Sequence, residues 1–127
     1  MTLLYIKRYD RQLIQAHPDW LFVFGDNLER KGYAGQAKEA RGEPNAVGIA
    51  TKRSPSNAPQ AFLYDGEFPQ WEASEAPAMQ RIWEVHKNDG VIVWPLDGIG
   101  TGLAQLDETA PAIFREIEEF RLALEKR

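Results

Sequence analysis

The stretch VIVWPLDGIGTGL, residues 91–103, decides the predicted fold. Its first four residues are β-branched or aromatic and apolar without interruption, which is typical of a strand buried on both faces. A loop with three glycines follows the strand, and a helical pattern begins after the loop. Buried strands that alternate with helices favour a mostly parallel sheet covered on both sides.

The rest of the chain repeats this alternation. Strands are predicted over residues 3–6, 21–24 and 46–50, with a weaker candidate at 62–64. Two short helices are predicted over residues 11–16 and 36–41. A third helix is predicted to begin at a Ser74 cap, with Pro77 in its first turn, and to end at residues 88–90. The last helix is predicted to begin at a cap formed by Asp107 or Thr109. We therefore expect one three-layer α/β domain over residues 1–127, with the sheet as its middle layer.

Length and composition exclude several classes of protein. A chain of 127 residues with 43% hydrophobic residues can form one core without cross-links. It has no cysteine, which excludes disulfides and thiolate chemistry, and its two histidines lack metal-ligand spacing, so we predict no metal and no cofactor. No apolar run approaches the roughly 18 residues of a membrane helix, and the N-terminal apolar stretch is too short for a signal peptide. We expect no membrane partner and a cytoplasmic location.

The charge balance argues against bulk duplex nucleic-acid binding. Fifteen basic and 19 acidic residues give a net charge of -4, whereas sequence-independent duplex binding needs a dominant basic field. One small basic pocket for a phosphate is still compatible with this charge. Contact between Lys52 and Arg53 and nucleic-acid phosphates is kept as a third alternative.

Three predicted strands end in loops that favour ligand binding. In a parallel sheet these loops share one edge, and ligands bind outside the carboxyl ends of the strands. The loop over residues 97–102 follows the strand at 91–94, and its glycines let the backbone approach a phosphate closely. The alternative is a flexible turn. A P-loop is excluded because leucine, not lysine, follows Gly102.

The other two loops carry polar and basic side chains. Asn27, in the Gly25-Asp26-Asn27 turn, has an amide donor and an amide acceptor that suit ribose hydroxyls. The alternative is an Asp-Asn turn whose side chains form hydrogen bonds with their own backbone. Tyr33 is either a stacking ring or a cover for the core. Lys52 follows a buried strand and precedes Arg53, whose charge would lower the pKa of a nucleophilic amine. The alternative is two solvated loop cations.

In this order the three segments resemble the macrodomain superfamily. The nearest branch contains the terminal ADP-ribose protein glycohydrolases and the DNA ADP-ribosyl glycohydrolases. Residues 99–103 look like its Ile-Gly-x-Gly-Leu phosphate loop, residues 49–52 look like its strand ending in Thr-Lys, and Asn27 with residues 35–37 looks like its first phosphate loop. The resemblance covers most of residues 21–120. Residues 22–52 also resemble small uncharacterised bacterial and phage proteins with a Phe-Gly-Asp-Asn signature.

The resemblance implies a macro-like α/β fold that binds ADP-ribose or an ADP-ribosylated macromolecule. Because the chain ends within or just after its last helix, we expect the family's final strand to be missing. The implied contacts are Asn27 and the glycine loop with the distal ribose and phosphate, Gly35 with the diphosphate, and Asp10 with adenine. The predicted ligand-binding residues are Asp10, Gly25, Asp26, Asn27, Gly32, Tyr33, Gly35, Gln36, Thr51, Arg53, Gly98, Ile99, Gly100, Thr101, Gly102 and Leu103.

Two functions follow from the resemblance, and they differ in chemistry. In an ADP-ribosyl glycohydrolase, Lys52 would attack the anomeric carbon, assisted by Asp97 or Asp107. In a binding module, ADP-ribose or a related nucleotide would be held without turnover. Ala104 stands at the family's catalytic aspartate position and favours binding, whereas the Thr51-Lys52 pair favours catalysis.

Overall fold

The computed structural model describes residues 2–102 and 104–126. One sheet with four parallel strands lies at its centre, in the order β1-β4-β2-β3. The strands are β1 (Thr2–Ile6), β2 (Trp20–Asn27), β3 (Ala46–Lys52) and β4 (Val91–Pro95). The helices are α1 (Arg11–Ala16), α2 (Ala37–Ala40), α3 (Phe68–Lys87), α4 (Leu106–Thr109) and α5 (Pro111–Glu125). The predicted α/β class with a parallel sheet is confirmed.

Helices cover both faces of the sheet because its central strands are apolar on both sides. In β2, Leu21 and Val23 face a core completed by α3 and α5, while Phe22 and Phe24 face a second core completed by α1 and α2. Successive side chains of a strand point to opposite faces, so one continuous apolar run supplies both cores. The predicted three-layer arrangement is therefore confirmed.

Three predicted elements differ from the structure. Residues 62–64 form no strand; Phe62 makes only an isolated bridge to Lys52, and Leu63 is apolar because it is buried in the core. Helix α3 begins at Phe68, before the expected cap at Ser74, because Pro69 already supplies the first-turn proline that the sequence analysis assigned to Pro77.

The expected last helix is divided. Asp107 and Thr109 lie within the short helix α4 and cap nothing, and α5 begins at Pro111. Proline is favoured in the first turn of a helix, where its missing N–H has no intrahelical partner, so Pro111 provides the start of α5. No helix within residues 2–102 and 104–126 has the combined length and apolarity that a membrane span requires.

Side chains of α3 bind the backbone of the edge strand β3. The Ala50 N–H donates to Oε1 of Glu75 at 2.5 Å, and the Ala50 carbonyl accepts from the Trp71 indole N–H at 2.7 Å. Both side chains are almost fully buried. An unpaired backbone group in the interior is costly, and an open edge invites pairing with another chain. These two contacts therefore satisfy both backbone groups of Ala50 on the edge strand and tie that strand to α3.

Replacing the buried carboxylate tests this connection. Glu75→Gln keeps an oxygen for the Ala50 N–H but turns an amide donor toward the guanidinium of Arg30, which loses its 2.6 Å ion pair and keeps the 3.5 Å ion pair with Asp26. We expect the free energy of unfolding to fall by about 1–3 kcal/mol, measured by urea denaturation. The control is Glu72→Gln, the same change at an exposed position of α3, which should shift stability by less than about 0.5 kcal/mol. Equal stability of the two variants would show that Glu75 does not stabilise this edge.

Candidate functional site

A cavity of about 300 Å³ opens at the carboxyl ends of β2 and β3. Three of the predicted loops meet there, since the last residues of β2, the last residues of β3 and the glycine loop after β4 all line it. The predicted site residues in its lining are Gly25, Asp26, Asn27, Gly32, Gly35, Gln36, Thr51, Lys52, Gly100 and Gly102. The other lining residues are not among the predicted ligand contacts; they are Lys31, Ala34, Ala37, Arg41, Pro55, Asn57 and Ala104.

The parallel pairing of β2 with β3 places these residues side by side. Asn27 pairs with Lys52 across the two strands, after a shift in register between Asp26 and Asn27. The Thr51 hydroxyl donates to the Asp26 carbonyl at 3.2 Å. The ends of the two strands are thus joined by backbone pairing and by a side-chain hydrogen bond beneath the cavity.

The amide of Gln36 connects the glycine loop to β2. Its oxygen accepts from the Gly25 N–H at 2.7 Å, and its nitrogen donates to the Gly98 carbonyl at 3.2 Å. A Cβ at position 25 would lie 3.4 Å from that same oxygen, which is close contact. Gln36 therefore positions the loop at the cavity wall.

Asn27 stabilises a turn. Its amide nitrogen donates to the Lys31 carbonyl at 2.8 Å, and its amide oxygen accepts from the Lys31 N–H at 3.4 Å. These contacts correspond to the alternative in which an Asp-Asn turn bonds nearby backbone. They fix the start of the segment that forms the wall opposite the glycine loop.

Asp26 is the centre of a charge cluster below that wall. Its buried carboxylate receives Arg41 at 2.6 Å and Arg30 at 3.5 Å. Arg30 also pairs with Glu75 at 2.6 Å. Gly48 makes room for the carboxylate, because a Cβ at position 48 would lie 2.6 Å from Oδ2 of Asp26. Arg41 and Glu75 carry no local sequence signal, because Arg41 lies 15 residues from Asp26 and Glu75 lies 45 residues from Arg30.

The glycine loop separates two cavities. Gly100 and Gly102 line the first cavity, while Asp97, Gly98 and Thr101 line a neighbouring cavity of about 380 Å³ beside α5. Ile99 is buried in the core, and Leu103 lies outside the described residues.

The conformation at Gly100 requires glycine. Its φ is +91°, and a Cβ there would lie 3.0 Å from the Leu106 side chain. The helix that follows this loop is α4, whose four residues are too few to build a substantial dipole at its N-terminus.

Lys52 is a buried cation bound by neutral oxygens. Its Nζ donates to the Ser56 carbonyl at 2.7 Å and to Oδ1 of Asn57 at 3.4 Å, and it lies 5.0 Å from the centre of the Phe62 ring. Within the part of the chain that the structure describes, no carboxylate lies within ion-pair distance of it. Burial lowers the pKa of Lys52, because the charged form loses water.

The neighbouring cation is not the cause of that shift. Arg53 turns away from the cavity, forms an ion pair with Glu67 and donates to the Gln60 carbonyl. Its charge is therefore compensated outside the site. The pKa of Lys52 is lowered in the predicted direction, but the cause is burial and not the charge of Arg53.

Eight predicted site residues in the described part of the chain lie outside this cavity's lining; they are Asp10, Tyr33, Arg53, Asp97, Gly98, Ile99, Thr101 and Asp107. Asp10 caps α1 by accepting from the Gln12 N–H at 2.9 Å, and Tyr33 is 67% exposed. Asp107 is exposed on α4. Arg53 and Asp97 lie where described above, so the structure brings neither proposed assisting aspartate into the cavity with Lys52.

The lining is basic although the whole chain is acidic. Lys31, Arg41 and Lys52 contribute three positive charges among the described lining residues, against the single carboxylate of Asp26. The chain as a whole carries a net charge of -4. A small basic cavity with glycines in its wall is suited to an anion with hydroxyl groups.

Comparison with known proteins gives one match. Residues 4–120 match DUF7831, a family of unknown function. No protein of curated function and no solved structure matches the chain. The match extends from β1 into α5 and includes the whole cavity lining, so the chain belongs to the DUF7831 family.

Proposed function

We propose that this chain binds ADP-ribose or a related nucleotide in the cavity at the ends of β2 and β3. One observation carries the proposal: the strand ends at Asn27 and Lys52 and the glycine loop at Gly100 enclose the same basic cavity. Had these residues lain on different sides of the sheet, the resemblance to macrodomains would have lost its physical basis. Their convergence supports a ligand that offers a phosphate and hydroxyl groups together.

The cavity can hold a phosphate group by two kinds of contact. Lys52 and Lys31 supply cations, and hydrogen bonds of charged groups are stronger than those of neutral ones. Gly100 and Gly102 leave the backbone open to close approach because they carry no side chain. Asp26 is already paired with two arginines, which limits its repulsion of an anion.

A second candidate function, removal of ADP-ribosyl groups, is favoured by the burial of Lys52, which lowers its pKa and so favours the neutral amine. As a neutral amine it would form a bond to the anomeric carbon, while the bond from that carbon to the macromolecule breaks with its electron pair. The leaving atom takes up a proton from solvent, the amine loses one, and water then releases the sugar from lysine. Ala104 lines the cavity without a carboxylate, which favours binding without turnover.

Ligand binding is tested by filling the cavity. Gly102 lines it, and a Cβ there would meet nothing within 4 Å, so Gly102→Leu should narrow the cavity without disturbing the fold. We expect ADP-ribose at about 100 times its Kd to stabilise the parent chain by roughly 2.7 kcal/mol in thermal unfolding, and the variant by much less. AMP and NAD are measured in parallel.

The matched control is Gly66→Leu. That position also has open space around a Cβ, but it lies in a single 3₁₀ turn over Asp65–Glu67, outside the cavity lining, so ligand stabilisation should equal that of the parent. If ADP-ribose, AMP and NAD all fail to stabilise the parent chain, the proposed function is refuted.

The hydrolytic role is tested on ADP-ribosylated protein and DNA. Lys52→Ala should lower the rate at least about a hundredfold, because the nucleophile is lost, whereas Lys87→Ala, a change on the far end of α3, should leave it unchanged. In the parent chain the rate should rise with pH and level off below the usual pKa of lysine, since burial favours the neutral amine. Equal rates for Lys52→Ala and the parent would eliminate the lysine mechanism. Absence of hydrolysis by the parent would leave binding as the function.

A further inference from the structure

The described lining of the cavity has no aromatic ring on which a nucleobase can stack. Glycine and alanine predominate there, together with amides and cations. Sites that hold a base place its ring against aromatic or broad apolar side chains, because stacking supplies much of the binding energy. Tyr33, the stacking ring considered from the sequence, is 67% exposed and outside the lining.

The polar contacts expected for adenine are also absent from the lining. Asp10 binds the backbone of its own helix at the N-terminus of α1. Gln36 and Asn27 have side-chain amides at the cavity, but each is already bonded at both its oxygen and its nitrogen to backbone. Among the described lining residues, the donors left for a ligand are on the cations Lys31 and Lys52 and on the amide nitrogen of Asn57, whose oxygen accepts from Lys52.

The size of the cavity points the same way. About 300 Å³ lies at the lower end of the range for ligand pockets, which extends to roughly 1,000 Å³. A phosphorylated pentose is less than half the size of ADP-ribose and presents a dianionic phosphate and several hydroxyls. The basic charge, the glycine wall and the volume of the cavity all match the pentose phosphate portion of ADP-ribose.

We infer that the site recognises the pentose phosphate end of its ligand and leaves the base outside. This inference rests on the proposed function and narrows it to a substrate class: compounds that carry a terminal ribose phosphate, with little dependence on the base attached beyond it. Lys31 and Lys52 donate hydrogen bonds to the phosphate and hydroxyl oxygens, and the glycine loop packs against the sugar.

Calorimetric titration of the full chain with four ligands tests the inference. ADP-ribose and ribose 5-phosphate should bind with Kd values within about tenfold of each other, while adenosine and inorganic phosphate should bind at least a hundredfold more weakly than ribose 5-phosphate. Gly102→Leu should weaken the first two ligands together, and Gly66→Leu should leave both unchanged.

Each other result has a definite meaning. Binding of ADP-ribose without ribose 5-phosphate, or binding of adenosine as tight as that of ADP-ribose, overturns the inference but leaves the proposed function standing. Phosphate that binds as tightly as ribose 5-phosphate also overturns it, because the sugar then contributes nothing. Binding of ribose 5-phosphate without ADP-ribose supports the inference and refutes the proposed nucleotide function. If neither sugar phosphate binds, both are refuted.

Discussion

The buried carboxylate of Glu75 is the contact on which the candidate site depends. It accepts the backbone N–H of Ala50 at 2.5 Å and pairs with Arg30 at 2.6 Å, so that α3, the edge strand and the segment after β2 meet at one group. Arg30 continues to Asp26, and Asp26 to Arg41. A buried charge is tolerated only when it is paired and hydrogen-bonded, and here every charge in the chain of contacts has a partner of opposite sign. The wall of the cavity is thereby anchored to a helix that packs on the sheet behind it.

The strands were predictable because their physical signal is local. An apolar run without alternation indicates burial on both faces, and such runs in β2, β3 and β4 correctly indicated a parallel sheet between helices. The signal failed at Leu63, since burial in the core also selects an apolar residue where no strand pairs. It failed again at Ser74, because Pro69 competes as a first-turn proline and the sequence alone does not rank it against Pro77.

The place of the site was predictable and many of its contacts were not. Parallel strands put their carboxyl ends at one edge, which is sufficient to bring Asn27 near Lys52. The roles of individual side chains depend on partners far away in the chain, such as Gly98 for Gln36, and no local pattern encodes those distances. Pro55 and Asn57 had a weak signal, as they lie within five residues of the end of β3 at Lys52, whereas nothing near Arg41 indicates that it binds Asp26.

The close approach of residues 26 and 48 limits how this chain can change. A β-carbon at 48 would lie 2.7 Å from that of Asp26, so neighbouring strands cannot carry side chains at both positions without moving apart. Exchanging the two residue types would relieve the crowding, but it would move the acid away from Arg41 and Arg30. Substitutions at these two positions are therefore coupled. Replacing Gly48 alone either forces the two strands apart or requires the loss of Asp26 and its ion pairs.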